Sequence, residues 1–164
     1  MAVDWVRLTL DLGTARDPAT HVPGIAVSSL LAWGDSAEHR RAVFELNRTC
    51  SADIPGRGEF FAYEEWEQLR LEGPGARLDG VVLAFHGDLP VGLCQLTAPP
   101  GRSWAFVEMT GVLRVHRRRG VAAAMKARAF DAARGWGCTE IRTSHHPANV
   151  PAISANRALG FREL

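Results

Sequence analysis

The residues best equipped for chemistry lie in the last third of the chain, where Arg117-Arg118-Arg119-Gly120-Val121-Ala122 opens an amphipathic run. Backbone N–H groups at a helix start lack partners inside the helix, and the helix dipole adds positive potential there, so such a turn can hold phosphates. Gly120 lets the main chain come close to a bound anion. The chemistry written here is pyrophosphate binding, with a solvated arginine cluster as the plain alternative. Further on, polar residues end an apolar run at Thr143-Ser144-His145-His146-Pro147; Asn149 and then Asn156-Arg157-Ala158-Leu159-Gly160-Phe161 follow.

The elements that must position these residues can be read from periodicity. The stretch from 104 to 113, WAFVEMTGVL, reads as a strand running into the arginine turn, and a helix is expected from 121 to about 134. On it Val121, Ala122, Met125, Ala129 and Ala132 form one stripe, opposite Arg128, Asp131 and Arg134. Gly135 and Gly137 end that helix, Thr139 to Thr143 form the next strand, and a last helix spans Ala148 to Ala158, closed by Gly160. Upstream, strands at 80–86 and 90–97 flank a Gly87-Asp88 turn and form a hairpin. Residues 25 to 32 read as a strand leading into a helix of about 36 to 49 capped by Asp35 or Ser36, with Ala37, Val43, Phe44 and Leu46 toward the core. A mobile connection (51–62) and a short helix (63–71) come next, and the aromatic cluster Phe60, Phe61, Tyr63 and Trp66 reads as core or lid packing. Residues 5 to 11 alternate like a strand, and the loop after them makes residues 1–23 a detachable extension ahead of a domain at 24–164.

Composition narrows the function classes. With 164 residues, 46% of them hydrophobic, the chain suits one domain, and its net charge of +1 supplies no overall field for nucleic acid or an anionic membrane. No run approaches 18 apolar residues and no leader pattern opens the chain, so a cytoplasmic location is expected. Cys50, Cys94 and Cys138 are odd in number and far apart, without metal-like spacing to the six histidines. Reduced, buried thiols and no metal are expected.

Taken together, TGVLRVHRRRGVA, the polar strand end and the Asn-Arg-Ala-Leu-Gly-Phe segment resemble the GNAT superfamily of acyl-CoA N-acyltransferases, clearly over residues 104 to 161. The resemblance implies an α/β (α+β) fold: a mixed, mostly antiparallel sheet flanked by helices, here with an extra N-terminal strand and a shortened C-terminus. It implies acetyl-CoA as acyl donor. The family's pyrophosphate pattern falls on Arg117, Gly120 and Ala122, with backbone amides from Arg118, Arg119, Val121 and Ala123. The segment whose backbone pairs with pantetheine falls on Val112-Leu113-Arg114, Arg114 standing where the family has proline, and Asn149 matches a position that hydrogen-bonds pantetheine. A simple helix cap is the other reading of Asn149. Family members also continue past the Gly-Phe pair into one more strand. The strand at Trp5 to Asp11 is therefore expected at the vacant sheet edge, in its own chain or a neighbour's.

The reaction needs a neutral amine, and an alkylamine of pKa near 10 is mostly protonated at neutral pH, so a proton acceptor helps. Glu108, between Val107 and Met109 on the strand before the turn, is the candidate general base; an exposed or arginine-paired glutamate is the alternative. His145 and His146 are further candidates. In the family a tyrosine four residues before the Gly-Phe pair often protonates the leaving thiolate. Asn156 occupies that position and cannot act as an acid, so the thiolate leaves unaided, through water, or with help from another residue.

The function expected is N-acetyl transfer from acetyl-CoA to a primary amine of a small molecule or peptide, entering beside residues 51–66, where Asp53 and Glu59 attract a cation and Trp66 packs on it. A homodimer is compatible with this reading; nucleic-acid and membrane partners are not expected. The alternative is a CoA-binding or sensing module with little or no turnover. A nucleic-acid patch at Arg114 and Arg117–Arg119 ranks behind both, because no aromatic residues interleave with it.

Overall fold

A computed structural model describes residues 2–164. Seven strands form one sheet in the order β2-β3-β4-β5-β6-β1-β7. They are β1 (Val6–Asp11), β2 (Ala26–Ser29), β3 (Ala76–His86), β4 (Leu89–Thr97), β5 (Trp104–Val112), β6 (Glu140–His145) and β7 (Arg162–Glu163). The helices are α1 (Leu30–Trp33), α2 (Ala37–Ser51), α3 (Tyr63–Arg70), α4 (Val121–Gly135) and α5 (Val150–Ala158). Every strand pairing is antiparallel except β5 with β6. This is the mixed, mostly antiparallel sheet with flanking helices that the resemblance implies.

Two apolar clusters cover the two faces. One joins Leu8, Leu10, Cys94, Val107, Met125, Phe130, Ile141 and Phe161 under α4. The other joins Leu30, Val43, Phe44, Trp66, Leu83, Leu93 and Met109 under α1, α2 and α3. On α2 the expected Val43, Phe44 and Leu46 are buried, whereas Ala37 is exposed in the first turn. Ser36 caps that helix by accepting from the His39 amide at 3.0 Å, while Asp35 is drawn away into an ion pair with Arg40. On α4 the buried stripe includes Ala133 rather than Ala132, and it also contains Lys126. The hairpin forms as expected at Gly87, where φ is +61°, although β3 begins at Ala76, earlier than its apolar run.

The N-terminal strand does not take a vacant sheet edge as expected, because Arg162–Glu163 form a further short strand outside it. It lies inside the sheet, pairing Val6–Asp11 with His145–Glu140 on one side and Leu8 and Thr9 with Glu163 and Arg162 on the other, all within one chain. Leu8 is completely buried and Leu10 is 3% exposed. Alternation turns these leucines toward the α4 layer, which explains why a short strand at the chain's start belongs to the core.

Candidate functional site

The site arises where the sheet opens. Strands β5 and β6 pair only over Trp104–Phe106 against Glu140–Arg142. Beyond Phe106 the two parallel strands have no mutual register, so the β6-facing side of Val107–Val112 lacks a strand partner. An open edge of that kind can accept an extended polar chain as if it were another strand. Val112 ends the strand at this gap, and the chain passes through Leu113 and one turn of 3₁₀ helix (Arg114–His116) to the arginine turn and the start of α4.

At that start Gly120 has φ +84° and Arg118 φ +61°, and no side chain caps the helix. The first intrahelical bond runs from Ala124 N–H to the Gly120 carbonyl, which leaves the amides of Val121, Ala122 and Ala123 ahead of the ladder. These amides, together with Arg117, Arg118 and Arg119, are of the kind that can hold an anion. Asn149 sits at the N-cap of α5 without a cap hydrogen bond from its side chain. Its backbone N–H donates to the His146 carbonyl at 2.8 Å, and its side-chain carboxamide is left for other partners.

The arginine side chains are already engaged by a carboxylate. Asp53, in the loop after α2, accepts from Arg114 at 2.6 Å and from Arg117 at 2.8 Å, and the Arg114 and then the Arg117 guanidinium hold its carboxyl far below the usual carboxylate range. Arg117 Nε also donates to the Val112 carbonyl at 2.7 Å. The same loop reaches the other lip of the gap at Gly56, where an added Cβ would lie 2.7 Å from the His146 ring. Asp53 is therefore taken up by Arg114 and Arg117 and offsets part of the charge of the arginine turn, rather than standing free for an incoming cation. Trp66, completely buried against Phe44, offers no surface to an acceptor. Glu59 is exposed.

Glu108 is the extra residue of a β-bulge: Leu96 pairs with Val107 and Gln95 with Met109, leaving Glu108 unmatched. Bulges re-aim side chains, and this one points the carboxylate at Thr97, which donates at 2.8 Å, and at Arg70 of α3, which donates at 2.7 Å. The arginine-paired alternative thus describes its resting state. On the α4 side of the gap, Asn156 is 3% exposed and joins two groups: its Oδ1 accepts from Lys126, and its Nδ2 lies 2.7 Å from His145 Nε2. Because Lys126 can only donate, Asn156 Nδ2 must donate to His145. That leaves the lone pair on Nε2 and the ring proton on Nδ1. Burial, and then the Lys126 charge, push the His145 pKa down to about 4, so this ring is neutral at pH 7 and its Nε2 is occupied. His146 accepts from the Ala148 amide and meets Trp5 edge-on. Sequence reasoning passed over Lys126 because its place on α4 lies within a helix whose neighbouring arginines are exposed.

All three cysteines are buried and free. No group of three or more metal-ligating side chains occurs among the described residues, and no helix among them is long and apolar enough to cross a membrane.

Comparison with known proteins adds an independent line. No curated protein matches the sequence. A GCN5-related N-acetyltransferase from Sphaerobacter thermophilus superposes with a TM-score of 0.72 at 19% identity, covering 99% of this chain and 49% of that one. A tandem GNAT protein of the clavulanic acid biosynthesis pathway gives 0.67 at 22% identity, over 98% and 50%. The ribosomal-protein-S18-alanine N-acetyltransferase of Escherichia coli gives 0.66 at 14% identity, over 85% and 79%. The chain spans about half the length of the first two, and at these identities the likeness is one of fold. The model of the acetyltransferase (GNAT) family matches residues 40–161, from the first turn of α2 through β5, the arginine turn and α5. A match over most of the chain, on a sheet that opens beside an uncapped helix start, shows that this chain belongs to the acetyltransferase (GNAT) family.

Proposed function

We propose that the chain transfers an acetyl group from acetyl-CoA to a primary amine of a small molecule or peptide. The observation that carries this reading is the uncapped start of α4 directly beside the unpaired edge of β5: a pyrophosphate cradle and a docking edge for an amide-bearing arm, one turn of chain apart. In this reading the amides of Arg118 to Ala123 and the Arg117 side chain hold the pyrophosphate. Val112, Leu113 and Arg114 line the path of pantetheine, and the Asn149 side-chain carboxamide hydrogen-bonds it. Held in the gap, the thioester carbonyl lies along the β5 edge, whose N–H groups polarise it, and the amine attacks from the side of α3 and the α2–α3 loop. Glu108 accepts the amine's proton, directly or through water. Each of its oxygens has one donor in the resting structure, and a carboxylate offers about four acceptor sites, so room for another donor remains.

Isothermal titration with acetyl-CoA, followed by thiol release over a panel of amines, tests this. Binding with release for some amines is the expected result. Binding with no release across the panel would favour a CoA-sensing module, and no binding by the folded protein would remove the acyltransferase reading altogether.

Asp53 must give up Arg117 when the pyrophosphate arrives. Asp53→Ala is therefore expected to tighten acetyl-CoA binding by roughly two- to fivefold, the modest gain appropriate to an exposed ion pair, with the gain shrinking in high salt. Unchanged or weaker binding by titration calorimetry would show that the pairing does not compete with the ligand.

A further inference from the structure

Lys126 is the one lysine of the chain; the other eighteen basic residues among the nineteen Lys and Arg are arginines. It is also a buried one, 6% exposed. Arginine is effectively always charged, whereas a lysine amine can release its proton in a buried setting, so the position that differs from all the others is the one where a proton can be given away.

Its surroundings leave that ammonium short of partners. Asn156 of α5 is its single hydrogen-bond acceptor among the described residues, for three donors. From β4 it faces Cys94, whose thiol burial pushes up and which Thr110 of β5 contacts at 3.5 Å. From β6 it faces His145, neutral as described, with Thr143 at 3.5 Å from the same imidazole nitrogen. The Phe161 ring lies 5.6 Å away. No carboxylate pairs with it among the described residues. A buried cation with no counter-ion and two idle donors is costly unless a ligand completes it. Cys94 and Thr110 sit on neighbouring strands on one side of the opening and His145 ends β6 on the other, so Lys126, close to Cys94 and joined through Asn156 to His145, lies between the two sides on the α4 face of the sheet.

We propose that Lys126 is a catalytic residue that donates its proton to the thiolate leaving in acetyl transfer, the part that Asn156 at its own position cannot play. The inference rests on the acetyltransferase reading. The amine nitrogen forms its bond to the carbonyl carbon, the carbon–sulfur bond breaks with both electrons going to sulfur, and one Nζ proton passes to sulfur to give free CoA thiol. The ammonium form of the substrate sheds two protons: Glu108 takes the first before attack, and the second, shed by the new amide nitrogen and delivered through water, recharges the now neutral Lys126. Burial lowers the Lys126 pKa from its ordinary value, which moves the donor toward a thiol of pKa about 8.5 and reduces the uphill cost of the transfer. Asn156 positions the amine and, by donating Nδ2–H to His145, occupies the Nε2 lone pair through which that ring would otherwise take the proton away.

Ultraviolet titration of the CoA thiol in its complex with the protein, subtracting the desulfo-CoA complex, tests this without knowledge of the acceptor. An ammonium against the sulfur stabilises the thiolate. In wild type the bound thiol is expected to titrate at least about one unit below free CoA, a tenfold gain in acidity; in Lys126→Met it should titrate at or above free CoA. A merely structural lysine would not move this titration. Should Lys126→Met not fold, Lys126→Gln, which keeps a donor to Asn156, replaces it. A wild-type complex whose thiol titrates at or above free CoA overturns the proposal whatever the variants do, as does a depressed value that persists without the lysine. Absence of CoA binding by wild type instead overturns the acetyltransferase reading, and this inference with it.

Discussion

Gly120→Asp is expected to weaken acetyl-CoA binding by about 100-fold or more, near 2.7 kcal/mol, while leaving a folded protein. Gly120 stands at φ +84° immediately before α4, and an added Cβ would meet nothing closer than Val22 Cγ2 at 3.7 Å. The side chain therefore has room. Aspartate tolerates the left-handed region better than most residues, at a cost of about 1–2 kcal/mol in stability. Its carboxylate, however, sits beside the amides of Val121 to Ala123 and repels the phosphates meant for them. Gly120→Asn separates charge from conformation: it imposes nearly the same backbone strain and volume without the negative charge, and should lose about tenfold less affinity than the aspartate. Titration calorimetry on the three proteins decides the matter. If Gly120→Asp binds acetyl-CoA as wild type does, the pyrophosphate lies elsewhere.

Removing residues 2–12 is expected to abolish cooperative folding. The deletion withdraws β1 from between β6 and β7, and with it Leu8, Leu10 and Leu12, which are at most 5% exposed. Losing a buried leucine side chain costs about 2–5 kcal/mol, and three such losses reach the 5–15 kcal/mol that holds a typical domain together. The truncation also strips the ladder from Glu140–His145, so the edge beside His145 and the gap would be left unpaired and prone to aggregate. Leu8→Ala is the milder probe. It should cost about 3 kcal/mol and lower the melting temperature by roughly 6–12 °C in a chain of this size. A truncated protein melting within a few degrees of the full chain, by circular dichroism, would show that β1 is an appendage.

The two experiments probe features of different legibility. The arginine turn could be recognised from residue types alone because its function depends on local backbone: unsatisfied amides at a helix start, a glycine at positive φ, and a strand leading in, all within about a dozen residues. The hairpin at Gly87 and the amphipathic stripe of α4 were legible for the same reason, since period and turn chemistry are local properties. The alternation of Val6–Asp11 marked a strand, but its place between β6 and β7 is a property of the assembled fold.

The sequence by itself determined the family and the order of most elements, and pointed to the place of the proposed anion cradle, because each is carried by neighbouring residues and short-range geometry; the short α1 and β7 were not among the elements expected. Only the tertiary structure decided which side chains share the site. It brought Arg70 of α3 to Glu108, Asp53 to Arg114 and Arg117, and Lys126 of α4 to Asn156 of α5 across 30 positions of sequence. It also set β1 beside β6, and the burial of Lys126, on which its acidity depends, is created by four elements that meet only in the folded chain. The physical reason is that charge, burial and hydrogen bonding at a site are sums over neighbours in space, whereas helices, turns and strands are selected largely by neighbours along the chain.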